Sequence, residues 1–193
     1  MTLISSRDAL LVIDVQNDFL PGGALAVPNG DAVVPLINRL SALPFGAVVA
    51  TQDWHPPSHV SFQTSEPAGP WPPHCVAGTD GAALAAGLDC APVALVLRKG
   101  RSKTVDSYSA FLDNDHASAT GLASWLREVG VERVFVTGLA LDYCVSATAV
   151  DAMNEGFESI VIVDACRGIG PRDEALQKLA AAGVGIAKSA ALA

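Results

Sequence analysis

ALLVIDV, residues 9–15, is a run of β-branched and other apolar residues that a single carboxylate interrupts near its end. Nearly unbroken apolar strands of this kind are typical of a parallel sheet that is covered on both faces. Similar runs recur along the chain, the last of them weaker: GAVVATQD at 46–53, PVALVLRK at 92–99, ERVFVTG at 132–138, ESIVIVDA at 158–165 and GVGIAK at 183–188. We therefore predict six strands in one mainly parallel sheet.

Helical patterns lie between several of these runs: DAVVPLINRLSAL at 31–43, TGLASWLREVG at 120–130, CVSATAVDAMNEG at 144–156 and PRDEALQKLAAAG at 171–183. Gly130, Gly156 and Gly183 stand where three of the helices should end in a left-handed cap. Strands that alternate with helices predict a three-layer α/β/α fold around a central, mainly parallel six-stranded sheet. A chain of 193 residues, 50% of them hydrophobic, is expected to form a single domain over residues 1–193.

One connection breaks this alternation, from about residue 52 to about residue 92. It has little periodicity and is far longer than the usual connection of about 4–6 residues. Long irregular segments in compact domains are usually functional, and this one carries His55, His59 and His74, braced by prolines.

Composition narrows the class of partner. The net charge of −8 and pI near 4.8 oppose nucleic-acid binding, which depends on clustered Lys and Arg. No apolar stretch reaches membrane-spanning length, and the start MTLISSRDALLVIDV lacks a targeting segment. We expect a cytoplasmic protein that binds a small molecule and neither nucleic acid nor membrane. The cysteines are widely spaced without a CxxC pair, which favours reduced thiols: Cys75, Cys90, Cys144 and Cys166.

A candidate metal site begins at Asp53, the carboxyl end of the second predicted strand, where open α/β sheets bind ligands. His55 and His59 follow two and six residues later, and His74 arrives in WPPHC. One carboxylate with imidazoles suits a divalent transition metal: zinc first, with manganese or iron as alternatives. The competing interpretation is a solvated loop whose histidines bind nothing.

Two further charged residues end predicted strands. Asp14 follows four apolar residues, so desolvation should raise its pKa towards the range of a general base. Lys99 ends the third strand and could hold that carboxylate while stabilising nearby negative charge. The alternative is that both are ordinary solvated strand ends.

Cys144 follows the fourth strand, at the predicted first turn of a helix. Backbone N–H groups and the helix dipole favour a thiolate there, and the same N–H groups could receive the oxyanion of a tetrahedral intermediate. The alternative is a small buried apolar residue, which we expect for Cys75, Cys90 and Cys166, least firmly for Cys75 beside His74.

Six stretches together resemble a known family: DVQNDFLPGGALAV at 14–27, TQDWHPPSHVSF at 51–62, WPPHCVAGTDGAAL at 71–84, RKG at 98–100, VDSYSAF at 105–111 and GLALDYCV at 138–145. In this order they resemble the nicotinamidases, also called pyrazinamidases, of the isochorismatase-like cysteine hydrolases. The likeness runs from about residue 9 to about residue 170. It implies hydrolysis of nicotinamide to nicotinate and ammonia through a cysteine thioester, acceptance of pyrazinamide, and a role in NAD salvage.

The resemblance also implies roles for individual residues. Asp14, Lys99 and Cys144 match the catalytic triad. Asp53, His55 and His74 match the metal ligands, with His59 as a further or water-linked ligand. Phe19, Trp71 and Tyr108 match the aromatic residues that sandwich the pyridine ring. Ala140 and Cys144 match the oxyanion N–H groups, with a cis peptide at Leu139–Ala140. Leu141 departs from the family, many members of which have threonine there, and this leaves the breadth of amide specificity open.

Other functions remain open at this level. Within the superfamily, an amide or ureide hydrolase or an isochorismatase would keep a similar triad without needing the metal cluster. A metal-binding thiol redox module would bind metal and release no ammonia, and a purely structural domain would leave the charged strand ends unexplained. The sequence also leaves open whether the metal binds substrate or activates water, and whether the chain forms a homo-oligomer.

Overall fold

The protein is described by a computed structural model that covers residues 2–193. The strands are β1 (Asp8–Ile13), β2 (Ala47–Asp53), β3 (Leu95–Lys99), β4 (Arg133–Leu139), β5 (Glu158–Arg167) and β6 (Gly185–Ala187). They form one six-stranded sheet in the order β3-β2-β1-β4-β5-β6, and every pairing is parallel. The predicted three-layer α/β fold is confirmed, with a sheet that is wholly rather than mainly parallel.

The helices are α1 (Val34–Ser41), α2 (Leu122–Glu128), α3 (Ser146–Asn154) and α4 (Arg172–Ala181). Gly130, Gly156 and Gly183 have φ values of +80°, +91° and +85°, as expected of left-handed caps. Two apolar cores lie on opposite faces of the sheet, because neighbouring residues of a strand point in opposite directions. Leu11 belongs to the core that contains α2, α3 and α4 side chains, whereas Leu10 belongs to the core that contains α1 side chains.

One predicted helix start is wrong. Cys144 does not open α3; it lies in a π-helical turn over Leu141–Val145, and α3 begins at Ser146. The wider turn forms because the N–H of Val145 donates to the carbonyl of Ala140, five residues back, at 3.1 Å. The nucleophile candidate therefore lies on a turn of its own between β4 and α3.

The apolar pattern also gave a wrong prediction for the edge strand β3, which was expected to be covered on both faces. β3 pairs only with β2, and its residues alternate between partly buried and exposed up to the buried Lys99. Val96 is 46% exposed, so β3 is not covered on both faces as its sequence suggested. The reason is positional, because within residues 2–193 no further strand lies beyond β3.

The long connection between β2 and β3 contains one short 3-10 turn, Asp80–Ala82. Elsewhere it folds back on itself through isolated bridges, which pair His55 with Val76 and Phe62 with Trp71. These bridges bring the histidine segment and the WPPHC segment together. Nowhere in residues 2–193 does a helix have the length and hydropathy needed to cross a bilayer.

Candidate active site

Four neighbouring strands bring their candidate residues to one edge of the sheet. Asp14 follows β1, Asp53 ends β2 and Lys99 ends β3, where Asp53 and Lys99 are direct partners in the strand register. Cys144 comes from the turn after β4. Because parallel strands place their carboxyl ends on the same side, the four side chains meet there.

Lys99 lies at the centre of this group and is fully buried. Its Nζ is 2.5 Å from Asp53 Oδ1 and 2.9 Å from Asp14 Oδ2. It also donates to the carbonyl of Ser107 at 3.1 Å and to Cys144 Sγ at 3.5 Å. The buried ammonium is therefore balanced by two carboxylates and touches the sulfur as well.

The protonation states of these groups follow from burial and charge. Burial raises the pKa of Asp14, and the nearby Lys99 only partly opposes that rise. Burial would also raise the pKa of Asp53, but Lys99 and His55 outweigh it and hold the pKa below its usual value. Burial would lower the pKa of Lys99, but the two carboxylates raise it well above its usual value. Lys99 is thus charged, Asp53 is ionised, and Asp14 is the carboxylate that accepts a proton more readily.

Asp14 is held by a residue that the sequence did not point to, Thr51 on β2. The Thr51 hydroxyl donates to Asp14 Oδ1 at 2.6 Å and accepts from the Asp14 N–H at 3.1 Å. The other oxygen, Asp14 Oδ2, forms the ion pair with Lys99 Nζ at 2.9 Å. Carboxylate oxygens of Asp14 and Asp53 and the Cys144 sulfur lie within 4.8 Å of one another. The Asp14 carboxylate therefore lies beside both the buried ammonium and the thiol.

Cys144 is buried, and this changes one expectation about it. Burial raises the pKa of the Cys144 thiol well above its usual value, and the attraction of Lys99 does not compensate. Desolvation of the sulfur thus opposes the effect expected of the turn, which was to favour a thiolate. The proton stays on the sulfur until a base takes it.

The other three cysteines are free thiols, as predicted. Cys75 and Cys166 are buried; burial raises the pKa of both, that of Cys166 to about 12. Cys90 is exposed, contrary to the expectation that it would be a buried apolar residue, because it lies on the open loop before β3.

The histidine cluster lies beside the lysine. Nδ1 of His55 donates to the carbonyl of Gly100 at 2.8 Å, and Nδ1 of His74 donates to the carbonyl of Pro72 at 2.8 Å. A backbone carbonyl only accepts, so these contacts leave the Nε2 lone pairs of both imidazoles available. One ligand atom from each of Asp53, His55 and His74 lies within 4.8 Å of the others. These three residues fit a divalent metal ion.

Gly100 makes the position of His55 possible. It adopts a left-handed conformation with φ of +63°, and a Cβ there would collide with the imidazole of His55. Glycine therefore lets the loop after β3 approach the ring closely enough for its carbonyl to fix the tautomer.

His59 differs from the other two imidazoles. On its Nδ1 side the ring contacts Ser61, with the hydroxyl oxygen 2.7 Å and the amide nitrogen 3.3 Å from Nδ1, which leaves Nε2 as the second ring nitrogen. That Nε2 is buried without a hydrogen-bond partner in the described chain and lies 3.9 Å from Asp106 Oδ1. Burial and the neighbouring His55 lower the pKa of His59 to about 4, so the ring is neutral. An unpartnered ring nitrogen beside the His55 imidazole is compatible with the further or water-linked ligand that the resemblance implied.

Asp106 was missed by the sequence reasoning, although it lies within the VDSYSAF stretch. Its carboxylate forms a second close group with His55 and His59. A single Asp in an irregular loop carries no spacing signal, and only the folded loop brings it to the histidines.

An open pocket of about 400 Å³, counting its mouth, lies over these groups. The predicted aromatic residues Phe19, Trp71 and Tyr108 line it, together with Ala140 and Cys144. The peptide bond Leu139–Ala140 is cis, as the resemblance implied.

Further lining residues were not singled out from sequence: Leu25, Val27, Asp106, Tyr143 and Ile169. Tyr143 packs edge-on against the rings of Trp71 and Tyr108, with centroids 5.1 and 5.6 Å apart. Trp71 Nε1 also donates to the Tyr108 hydroxyl at 3.4 Å. Apolar and aromatic walls around a few polar groups suit a flat aromatic ligand.

Known proteins share this sequence and architecture. The isochorismatase domain family matches residues 8–191. The nicotinamidase of Acinetobacter baylyi is 45% identical and the alignment covers 91% of this chain and 90% of that protein. The nicotinamidase of Escherichia coli is 44% identical, with 91% and 92% covered. The nicotinamidase/pyrazinamidase of Mycobacterium tuberculosis is 42% identical, with 83% and 87% covered.

Solved structures agree with these relatives. PnC1 from L. infantum in complex with nicotinate superposes with a TM-score of 0.95 at 45% identity, covering 100% of this chain and 98% of that one. The pyrazinamidase of Pyrococcus horikoshii in complex with zinc superposes with a TM-score of 0.82 at 39% identity, covering 94% and 99%. The resemblance first seen in six short stretches is thus confirmed over nearly the whole chain. The chain belongs to the isochorismatase family, within its group of nicotinamidases.

Proposed function

We propose that this protein is a nicotinamidase that hydrolyses nicotinamide to nicotinate and ammonia and also accepts pyrazinamide. One observation carries the proposal: a buried thiol, a buried carboxylate and a lysine that contacts both meet beneath an aromatic pocket. The similar proteins named nicotinamidase, one of them also pyrazinamidase, and the solved complex with nicotinate support this choice of substrates. A cytoplasmic location and a role in NAD salvage belong to the same proposal.

The first half of the reaction makes the thioester. The Asp14 carboxylate takes the proton from Cys144, and Lys99 stabilises the thiolate so formed. The sulfur attacks the carboxamide carbon, and the N–H groups of Ala140 and Cys144 receive the oxyanion. Asp14 then gives the proton to the amide nitrogen as the C–N bond breaks, and ammonia leaves.

The second half restores the enzyme. A water molecule loses a proton to Asp14 while its oxygen attacks the thioester carbon. The C–S bond then breaks, nicotinate is released, and Asp14 returns the proton to Cys144. The same carboxylate serves both halves, which suits its raised pKa.

A divalent transition metal belongs to the proposed site. Asp53, His55 and His74 would hold it, because the backbone contacts of both Nδ1 atoms leave the Nε2 lone pairs available and the three residues lie close together. Zinc is the proposed ion, supported by the zinc complex of the Pyrococcus protein, with manganese and iron as alternatives. When bound, the ion supplies Lewis acidity at the pocket wall. His59 is proposed as a further or water-linked ligand beside these three.

The test is ammonia release from nicotinamide by purified protein, as prepared, after chelation, and after return of zinc, manganese or iron singly. We expect turnover to be lost on chelation and restored by one metal. Cys144→Ala should lower turnover by at least about 10³-fold, whereas Cys90→Ala, a change at the exposed cysteine, should not.

Two results would contradict the proposal. Absence of ammonia with every metal would exclude nicotinamide and leave another amide or ureide, or a redox module that turns nothing over. Substantial turnover by metal-saturated Cys144→Ala would exclude the thioester mechanism.

A further inference from the structure

A short loop segment after β5, residues 168–170, reaches the mouth of the pocket. We call it the mouth segment; its sequence is Gly-Ile-Gly. Ile169 lines the pocket and is 42% exposed. An aliphatic side chain that is half in solvent at a pocket rim needs something to hold it in place, because its own packing supplies little.

The Asp142 carboxylate holds the mouth segment in place through two hydrogen bonds. Its Oδ1 accepts from the Ile169 N–H at 3.0 Å, and its Oδ2 accepts from the Gly170 N–H at 2.6 Å. Both oxygens of one carboxylate are thus committed to consecutive N–H groups of the mouth segment, and hydrogen bonds to an ionised acceptor are about twice as strong as neutral ones.

The glycines on either side make this contact possible. A Cβ at Gly168 would lie 2.8 Å from Asp142 Oδ1, and one at Gly170 would lie 2.9 Å from Oδ2. Any larger residue at either position would push the carboxylate away from the N–H groups. The two glycines, the backbone N–H groups between them and the Asp142 carboxylate therefore all fit the same arrangement of the mouth segment.

Asp142 also belongs to the turn that carries Cys144. It lies two residues before the sulfur and directly before Tyr143, which packs against Trp71 and Tyr108. The aromatic wall and the aliphatic rim of the pocket thus both depend on one short turn. The rim is fixed relative to the sulfur and not merely to the sheet.

We propose that Ile169 is a specificity-determining wall of the substrate pocket and that Asp142 is the positioning residue that holds it there. The inference rests on the proposed amidase function and extends it to the choice of ring. Ile169 limits the space beside the pyridine ring, so a ring that carries a methyl group is rejected by contact with it. Asp142 sets that limit indirectly, through the mouth segment.

The test compares nicotinamide with nicotinamide methylated on the ring, in the metal-loaded protein. Ile169→Ala should lower kcat/KM for nicotinamide about 3- to 10-fold, mainly through KM, and shift the ratio of the two substrates towards the methylated one by about 10-fold. Asp142→Asn should shift the ratio in the same direction, because one amide N–H replaces one of the two acceptors. The double variant should shift it no further than Ile169→Ala alone, since both changes act through one wall.

Matched controls are available in the chain. Ile186→Ala removes an isoleucine of the same 42% exposure on β6, away from the pocket. Asp115→Asn alters an exposed aspartate whose Oδ1 accepts from the Ala117 N–H at 2.9 Å. Neither control should change the substrate ratio.

Two results would overturn the inference while the parent remains active. Ile169→Ala could lower kcat/KM for both substrates by the same factor, which would mean no selectivity at this wall. Asp142→Asn could lower kcat equally for both substrates, which would mean that it supports only the nucleophile turn. If the parent released no ammonia, the proposed function would fail first and this inference with it. Ile169 is partly exposed, so its variant remains informative even if Asp142→Asn unfolds.

Discussion

Thr51 shows how a residue without chemistry of its own can govern the site. Through its two hydrogen bonds it fixes Asp14, whose φ of +49° is an uncommon conformation for a residue with a side chain. One carboxylate oxygen bonds to Thr51 and the other is paired with Lys99. Orientation of the base therefore depends on a hydroxyl from the neighbouring strand.

Thr51→Val tests this dependence at the residue scale. We expect kcat to fall about 10- to 100-fold with little change in KM, because the base is no longer oriented. Burial raises the pKa of Asp14 and the Thr51 hydrogen bond opposes that rise. Without the bond the pKa rises further, so the acid limb of the kcat/KM profile should move to higher pH, where Asp14 is ionised.

Thr137→Val is the matched control. Thr137 is equally buried, and its hydroxyl donates to the Leu11 carbonyl at 3.0 Å, away from Asp14. Both variants should lose stability of about 1–3 kcal/mol, but only Thr51→Val should shift the pH limb. An equal loss of activity in both would mean that Thr51 matters for packing alone.

Sequence reasoning at this scale found residues that end strands and missed those that depend on loop placement. Asp14, Lys99 and Asp53 were found because a charged residue after an apolar run is conspicuous. Thr51 was missed because a threonine inside a strand is ordinary. Ile169 was missed because nothing in the sequence tells which loop reaches the pocket.

At the scale of elements, β1 and β4 are joined at their first residues as well as along their length. Asp8 and Arg133 are direct partners in the register, and their side chains form a bidentate ion pair with distances of 2.7 and 3.0 Å. A neighbouring pair, Arg7 with Glu132, is exposed on both sides. The Asp8–Arg133 pair is much more buried than the Arg7–Glu132 pair, although both have short N–O distances.

Arg133→Met should lower the free energy of unfolding by about 1–3 kcal/mol at neutral pH, because the buried Asp8 loses its charged partner. Burial by itself raises the pKa of Asp8, but the hydrogen bonds from Arg133 and Ser5 together outweigh burial, so the pKa lies below its usual value. The ion pair therefore contributes to the free energy of unfolding at pH values above the Asp8 pKa of the unfolded chain, about 3.9. This contribution is lost as the pH falls through the lower Asp8 pKa of the folded protein. Denaturant titrations from neutral pH to about pH 3 should show the variant and parent converging.

Arg7→Met serves as the control, since an exposed pair contributes little. A loss as large as that of Arg133→Met would show that charge at this end of the sheet matters irrespective of burial. Catalysis should be unchanged in both, because this edge is opposite the carboxyl ends of the strands.

The secondary-structure elements were predictable where the apolar pattern of the sequence agrees with the burial of the element in the fold. β1, β2, β4 and β5 lie inside the sheet and read as apolar runs. The edge strand β3 reads the same way but alternates, because a run of apolar letters does not reveal which strand has a neighbour on only one side. The π-helical turn before α3 was also beyond sequence reasoning, since it depends on a single N–H reaching five residues back.

At the scale of the whole molecule, the connection between β2 and β3 closes over the sheet edge and brings His74 to His55. Their rings lie 5.0 Å apart, and the His74 ring also packs 5.6 Å from Phe19 of the pocket wall. A metal bound by Asp53, His55 and His74 would therefore tie this long segment to β2. Binding to the folded state alone raises stability by mass action.

Zinc at about 100 times its Kd should raise the Tm of chelated protein by about 5–10 °C. The measurement is a thermal melt followed by circular dichroism, which does not depend on activity. His74→Ala should abolish the shift because one of the three ligands is gone. His116→Ala should retain it, since His116 is exposed and outside the cluster. An equal shift in both variants would place the stabilising ion elsewhere.

Lys99 also limits how this chain can change over generations. Asp14 and Asp53 share one buried ammonium, so loss of either carboxylate leaves a positive charge with a single partner in an interior that tolerates such imbalance poorly. A descendant that abandoned the metal by replacing Asp53 would need a second substitution to keep Lys99 and Cys144 in working order. Loss of the metal with retention of hydrolysis would then have to arise as a coupled pair of mutations.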